Sequence, residues 1–173
     1  MNRLYLKSPC ATDKAAVLAY RQEFLNSGDS IDGSGGLAWA STFEEWLESV
    51  QDNAQKNTVR AGCVPTSVYL AFACDTNHLV GMISIRHERN AALEQFGGNI
   101  GYSVRYSQRG KGYAAEMLSL ALEQCRKLGL SSILLTCHKS NVASARTMLK
   151  CGATLQDELQ LGPYTIQRYW IAL

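Results

Sequence analysis

The sequence predicts a mixed α/β fold within one domain spanning residues 1–173, and three observations carry that reading. Segments of strand composition and segments of helical periodicity alternate in the order β α α β β β α β α β β. At 173 residues, 46% hydrophobic and 18% charged, the chain is long and apolar enough to bury a substantial core. No internal repeat, low-complexity tract or linker divides it.

Leu4-Tyr5-Leu6 reads as a short first strand. Thr12 can cap a helix running to about Phe24, because Ala15, Leu18, Ala19 and Leu25 recur at helical spacing. Residues 26–36 are rich in Gly, Ser and Asp and predict a loop. Thr42 with Glu45 three positions on matches a capping box, which opens a second helix to about Asp52. Ser67 to Cys74 and Leu79 to His87 read as strands joined by a hairpin turn at Asp75 to His78. A loop or short helix over 90–98 then leads into a third long strand, Asn99 to Val104. The next helix, Ala114 to Leu128, places Leu118, Ala121, Leu122 and Cys125 on one face, with Gly129 as its natural C-cap. Ser132 to Cys137 is apolar nearly throughout, as a strand covered on both faces should be. Asn141 opens a helix that ends at Gly152, and two strands, Thr154 to Leu161 and Tyr164 to Leu173, surround a Gly162-Pro163 turn.

Composition narrows the function classes. A net charge of +2 is too small to argue for a nucleic-acid partner. The local cluster Arg105, Arg109 and Lys111 fits one small polyanion better than a polymer. The six cysteines form no CxxC pair and the three histidines no HxxxH spacing, so no metal site is expected. Met1 to Cys10 carries Arg3, Lys7 and Pro9 rather than an apolar signal, and no apolar run approaches the ~18–20 residues of a membrane span. Free thiols in a reducing cytoplasm, with no membrane partner, are the expectation.

The most informative stretch is Gln108 to Ala115. Two glycines and two cations stand between a strand and a long helix, so the turn's backbone amides stay exposed at the positive end of a helix dipole. That is an anion site, and the missing Cβ lets a phosphate approach closely. A GxxxxGK[ST] phosphate loop is excluded, because Tyr113 follows Gly112. Gly110 to Ala115 also spells G-x-G-x-x-A, a loose dinucleotide fingerprint. The next strand ends Thr136-Cys137-His138-Lys139, without the acid such a site needs for its ribose.

In the frame Arg109-x-x-Gly112-x-Ala114 the turn resembles the acetyl-CoA loop of the GNAT superfamily of N-acetyltransferases. Ile100 to Val104 resembles the family's splayed strand, and Asn141-x-x-Ser144 with Lys150-Cys151-Gly152 resembles the signature of its next helix. The resemblance implies the acyl-CoA N-acyltransferase fold, a mixed, mostly antiparallel central sheet of about six or seven strands flanked by helices. It implies acetyl-CoA as cosubstrate, no metal, and a primary amine of a small molecule or peptide as acceptor. On this reading Val104, Arg105 and Tyr106 receive the pantetheine arm, with Asn141 and Ser144 beside it. Backbone amides from Gly110 through Gly112, Tyr113 and Ala114 wrap the pyrophosphate, and Arg109 and Lys111 add charge. Members often pair, and the last strands offer edges for a homodimer.

Four positions depart from the family pattern, one of them Tyr106, where proline is frequent. Met148 stands where a tyrosine often protonates the leaving thiolate, Asn99 where a glutamate often acts as base, and Ala153 where phenylalanine is frequent. Direct attack of an amine needs mainly positioning and polarisation of the carbonyl, for which the Val104 N–H stands ready. His87 and Glu88 are the candidate bases, with Glu94 behind them, and Tyr102 is a further proton donor. Cys137 and Cys151 are read as packing residues rather than acyl-carrying nucleophiles. The acceptor side is assigned to the loop beginning at Asp32, with Trp39, Glu45 and Arg168. The alternative is an acyl-CoA-binding sensor domain that lacks turnover, which Met148 and Asn99 favour.

Overall fold

The computed structural model describes residues 2–173. Its seven strands divide into two antiparallel sheets. The first, in the order β1-β2-β3-β4, contains β1 (Leu4–Lys7), β2 (Thr66–Ala73), β3 (Leu79–Arg86) and β4 (Ile100–Val104). The second, in the order β5-β7-β6, contains β5 (Ser132–His138), β6 (Thr154–Leu161) and β7 (Tyr164–Ala172). Helices α1 (Lys14–Ser27) and α2 (Phe43–Asn53) cover one face of the first sheet, closing a core around Tyr20, Phe24, Trp46, Leu70 and Met82. Helix α3 (Tyr113–Lys127) covers the other face and continues over the second sheet, burying Met117, Leu118 and Ala121 against Ile83, Ile133 and Leu135. Helix α4 (Val142–Lys150) follows β5 and buries Met148 in the same core.

The helix starts follow local hydrogen-bonding chemistry. Thr42 Oγ1 accepts from Glu45 N at 3.1 Å, while Glu45 Oε2 reaches back to Ser41 N rather than to Thr42. The expected cap at Thr12 is replaced by one two residues earlier. Cys10 N donates to Asp13 Oδ2 at 2.9 Å, a 3-10 turn runs through Ala11–Asp13, and α1 begins only at Lys14. Asp13 wins because its carboxylate also meets Lys7 Nζ at 2.8 Å, a partner that no local pattern reveals.

The two sheets meet at Asn99. Its N–H donates to Leu134 O at 2.7 Å and its Oδ1 accepts from Leu134 N at 2.9 Å, so one residue does the work of a ladder step. Nδ2 reaches Arg86 O at 3.2 Å, and Arg89 Nη1 adds a bond to Oδ1 at 2.6 Å. Asn99 is fully buried with both ends of its amide engaged, which meets the demand that buried polar groups be paired. Beyond it β4 and β5 diverge.

Candidate active site

The gap between β4 and β5 opens into a cleft of about 940 Å³. Backbone groups of an antiparallel strand point alternately to its two edges. Arg105 N donates to Val80 O at 3.0 Å and Asn99 O accepts from Arg86 N at 2.7 Å, so odd-numbered residues of this strand face β3. Tyr102 and Val104 therefore turn their peptide groups towards the cleft, where β5 does not pair them. Val104 O takes Arg109 Nε at 3.0 Å, and its N–H has no protein acceptor among the described residues.

Helix α3 begins at the same cleft. Gly112 is its N-cap at φ 81° and Gly110 is left-handed at φ 76°. Among the described residues, no protein acceptor takes the N–H groups of residues 110–115. A Cβ at Gly110 would meet nothing within 4 Å, so this backbone is open to a ligand. Arg109, Arg146 and Lys150 line the cleft with it. Unpaired amides, a helix N-terminus and three cations make an anion cradle. On the opposite wall Asn141 caps α4, its Oδ1 accepting from Ser144 N at 3.1 Å, which leaves Nδ2 to a ligand. Ser144 Oγ lies 2.8 Å from the Tyr102 hydroxyl. Burial pushes the Tyr102 phenol up to about 12 against the opposing hydrogen bond from Ser144, so it is protonated at neutral pH.

A second cavity of about 740 Å³ lies between the first sheet and the loop joining α1 to α2. It shares Asp29, Ser30, Asp32, Gly33 and Arg86 with the cleft, so the two spaces meet along that wall. The loop is held down. Ser103 Oγ donates to Asp32 O at 2.6 Å, Trp46 Nε1 to Ser34 O at 2.7 Å, and Arg109 Nη1 meets Asp29 Oδ2 at 2.8 Å. Gly33, at φ 73°, lies so close on β4 that a Cβ would stand 2.2 Å from Gly101 O.

Of the residues singled out from the sequence, the structure gathers Val104, Arg109, Gly110, Gly112, Tyr113 and Ala114 at the cleft, with Asn141 and Ser144 opposite. Asp32 lines both cavities, and Trp39, 89% exposed, stands on the rim of the second. The others are engaged elsewhere. Arg105 is buried, with Nε on Glu23 at 2.6 Å and Nη1 on Leu79 O at 3.0 Å. Tyr106 is exposed outside the cleft, and Lys111 Nζ turns to Gln108 Oε1 at 2.8 Å. His87 lies 2.8 Å from Ser67 Oγ, and neither it nor Glu88 lines either cavity. Burial holds the His87 imidazole below its usual range, with the Glu88 charge opposing. Glu45 is occupied with its helix cap, and Glu94 with Arg89 at 2.7 Å. Arg168 grips Asp157 through two nitrogens, at 2.7 and 2.5 Å, and donates to Glu94 O, so it is a strut between β6, β7 and the turn before β4. Cys137 lines the cleft and Cys151 bonds Ala115 O at 3.3 Å; burial raises both thiols, which suits packing rather than nucleophilic attack.

Arg86, Ser84 and Arg146 are wall residues that the sequence reading passes over. A signal for the first two exists. In Met82-Ile83-Ser84-Ile85-Arg86 the strand period of two puts Ser84 and Arg86 on one face, two polar groups on an otherwise apolar strand.

A phosphate cradle leading along an unpaired strand edge to a second cavity fits an acyl-CoA: pyrophosphate on the amides, pantetheine amides on Tyr102 and Val104, thioester at the junction. This fold and site define an acyl-CoA-dependent transferase. A family model described as an acetyltransferase (GNAT) domain matches residues 3–154, and the chain belongs to that family. It is thus an acetyl-CoA-dependent acetyltransferase. Three solved structures share its fold. The microcin C7 self-immunity acetyltransferase MccE, in complex with acetyl-CoA and AMP, is 18% identical with TM-score 0.71, over 100% of this chain and 94% of that one. An acetyltransferase from Salmonella typhimurium that modifies the N-terminal serine of a 50S ribosomal subunit protein is 19% identical with TM-score 0.67, over 100% and 96%. A chimera of the Vibrio cholerae spermidine N-acetyltransferase SpeG is 16% identical with TM-score 0.67, over 98% and 95%. No curated protein matches the sequence significantly. No helix among the described residues is long and apolar enough to cross a membrane.

Proposed function

We propose that this acetyltransferase acts on a primary amine held in the 740 Å³ cavity, which attacks the thioester directly where the two cavities meet. The meeting of the cavities beside the open edge of β4 carries the reading. Amides of residues 110–115, with Arg146 and Lys150 near them, hold the pyrophosphate. Tyr102 and Val104 backbone groups pair the pantetheine, and Asn141 Nδ2 meets it from the opposite wall. Val104 N–H donates to the thioester carbonyl, where negative charge develops as the amine adds.

The step balances simply. The amine nitrogen forms the new C–N bond, the C–S bond breaks, and its electron pair leaves with sulfur. An ammonium acceptor first gives up one proton to free its lone pair, the nitrogen loses a second as the C–N bond forms, and the sulfur, leaving as thiolate, takes one from water, so that one proton is released to solvent overall. Asp32, the unpaired carboxylate on the shared wall, is the acceptor for the nitrogen's proton, directly or through water. His87 and Glu88 could act only through longer water chains. On the sulfur side, Ser144 and Tyr102 offer a hydrogen-bonded hydroxyl pair. A phenol pushed up to about 12 is a weaker acid than a thiol near ~8.5, so Tyr102 stabilises the departing thiolate by hydrogen bonding rather than by full proton transfer.

A reducing cytoplasm suits six cysteines that are all free. β6 is an open edge, exposing Leu155 and Leu161, on which a second copy could pair.

Calorimetric titration with acetyl-CoA, against NADH and ATP, tests the cofactor assignment, and amine-dependent release of free CoA tests the reaction. Gly112→Glu, which puts a carboxylate and a strained left-handed residue on the turn that carries those amides, should lower acetyl-CoA affinity at least tenfold. Gly129→Ala, at the far end of α3, should leave it unchanged. Full affinity in Gly112→Glu would refute the placement of the pyrophosphate.

A further inference from the structure

The acceptor cavity contains a charge pattern that the transfer reaction alone does not require. Its ionisable side chains, apart from the Cys63 thiol, are Asp29, Asp32 and Arg86. Asp29 is paired with Arg109 at 2.8 Å. Arg86 has no carboxylate within 4.0 Å among the described residues, although Asp32 lines the same wall. Arg86 is partly buried and uses only Nη1 within the protein, donating to Gly97 O at 3.1 Å and Gly98 O at 3.2 Å. Those two bonds fix the guanidinium and leave Nε and Nη2 without a protein partner. Burial works against the Arg86 charge and the nearby Asp32 offsets it only in part, so a ligand carboxylate would complete its compensation. Asp32 has only the Ser30 hydroxyl on its carboxylate, at 3.1 Å.

Unlike charges thus share one wall without closing on each other, and both stand where the cavities meet. An amine poised for attack lies at that junction, so any group one or two bonds from it falls near Arg86. Ser84, on the same strand face, and Thr66, opposite Arg86 in the ladder, add hydroxyls to the wall. The cavity is also lined by the buried apolar side chains Ile31, Val50, Val64 and Val68, while Leu25 and Trp39 stand exposed at the rim.

Building on the proposed transfer to an amine, we propose that the acceptor is a small zwitterion of the α-amino acid type with an apolar side chain. Arg86 receives its carboxylate through the free edge of the guanidinium, Asp32 receives its ammonium, and the apolar walls receive its side chain. A peptide N-terminus has an amide where this site offers a cation, so peptides are poorer acceptors than the free amino acid. Bidentate pairing with a carboxylate is the geometry arginine suits and lysine does not.

The test uses the full chain saturated with CoA for binding, and with acetyl-CoA for turnover. The probes are phenylalanine, phenethylamine and 3-phenylpropionate, with leucine and isoamylamine as a second matched pair. Wild-type protein should bind and acetylate each amino acid at least tenfold better than its decarboxylated match, and 3-phenylpropionate should compete with phenylalanine. Arg86→Met should erase the preference between matched probes, and Arg86→Lys should restore only part of it. A purely structural Arg86 would change stability without changing the ratio between matched probes. The wild-type comparison stands even where Arg86→Met fails to fold. Equal treatment of amine and amino acid, preference for the amine, or acceptance of neither amino acid overturns the proposal. Absence of acetyl-CoA binding would instead strike the reading on which it rests.

Discussion

Replacing Gly33 by alanine separates the two demands this loop makes on its glycines. At φ 73° a side chain pays for the left-handed conformation, about 1–2 kcal/mol. The new Cβ would also stand 2.2 Å from Gly101 O, 2.6 Å from Gly101 C and 2.8 Å from Tyr102 Cα. All three are backbone atoms of a central strand and cannot turn aside, so the loop must lift by about an ångström to regain van der Waals separation. Lifting stretches the Ser103 Oγ bond to Asp32 O, now 2.6 Å, whose loss costs about 0.5–1.5 kcal/mol. Gly36 is the control: it is also left-handed, at φ 88°, but a Cβ there meets nothing within 4 Å. Gly33→Ala should therefore unfold at least about 1 kcal/mol more easily than Gly36→Ala, roughly 2–4 °C in Tm for a chain of this size. It should also raise the acceptor KM while leaving acetyl-CoA affinity within twofold, because the lifted segment carries Asp32 but none of the phosphate amides. Thermal melts and calorimetry on the two variants supply the comparison. Equal melting temperatures would show that the loop is not seated on β4, and the shared wall between the cavities would lose its basis.

Two further outcomes follow from charge and burial. Glu23→Gln should destabilise the protein by about 2–4 kcal/mol at pH 7, since it leaves the buried Arg105 without its carboxylate. Burial alone would raise the Glu23 carboxyl, but the Ser107 N–H and the Arg105 guanidinium outweigh it and hold the folded value below the usual range. A depressed folded pKa gives stability present above the ordinary carboxylate value of ~4.3 and lost as pH falls through the folded value. Denaturant midpoints of wild type and variant should therefore converge on acidification below pH ~4, and a gap independent of pH would contradict the pairing. For the thiols, brief iodoacetamide treatment at pH 8 with mass spectrometry should label exposed Cys63 and Cys74 and spare Cys125, which burial pushes up to about 11. Early labelling of Cys125 would mean that α3 does not sit on its core as described.

What the sequence discloses and what it withholds divide along a physical line. The α3 glycine turn, the Thr42 and Asn141 caps and the period-two strands are local, so the residues that cause them lie within a few positions of one another. Asn141 illustrates the limit of that legibility, because its capping bond to Ser144 N is written in the spacing but its place across the cleft from Val104 is not. Arg105 and Lys111 look like phosphate contacts because they flank the turn, yet one is drawn 82 positions back to Glu23 and the other to Gln108. His87 follows the strand end and looks catalytic, while period-two alternation turns its neighbour Arg86 to the cavity instead. Partners decide where a long cationic side chain goes, and that of Arg105 is long-range, so no local pattern encodes it.

Asn99 shows how such a partner can change the meaning of a missing catalytic group. Where the family often keeps a glutamate, this chain has a fully buried amide whose Nδ2 donates to Arg86 O and whose Oδ1 accepts from Leu134 N and Arg89. A carboxylate only accepts hydrogen bonds, so a glutamate here would face the Arg86 carbonyl with nothing to give it. Asparagine is therefore the residue that this junction requires, since it must donate to one strand and accept from another at the point where the sheets part. The same bond fixes the backbone of Arg86, whose guanidinium stands between the two cavities. Of the two carboxylates on the wall the cavities share, Asp29 is paired with Arg109, while Asp32, held over β4 by Ser103, is not in an ion pair, which is why the proposed proton route runs through it.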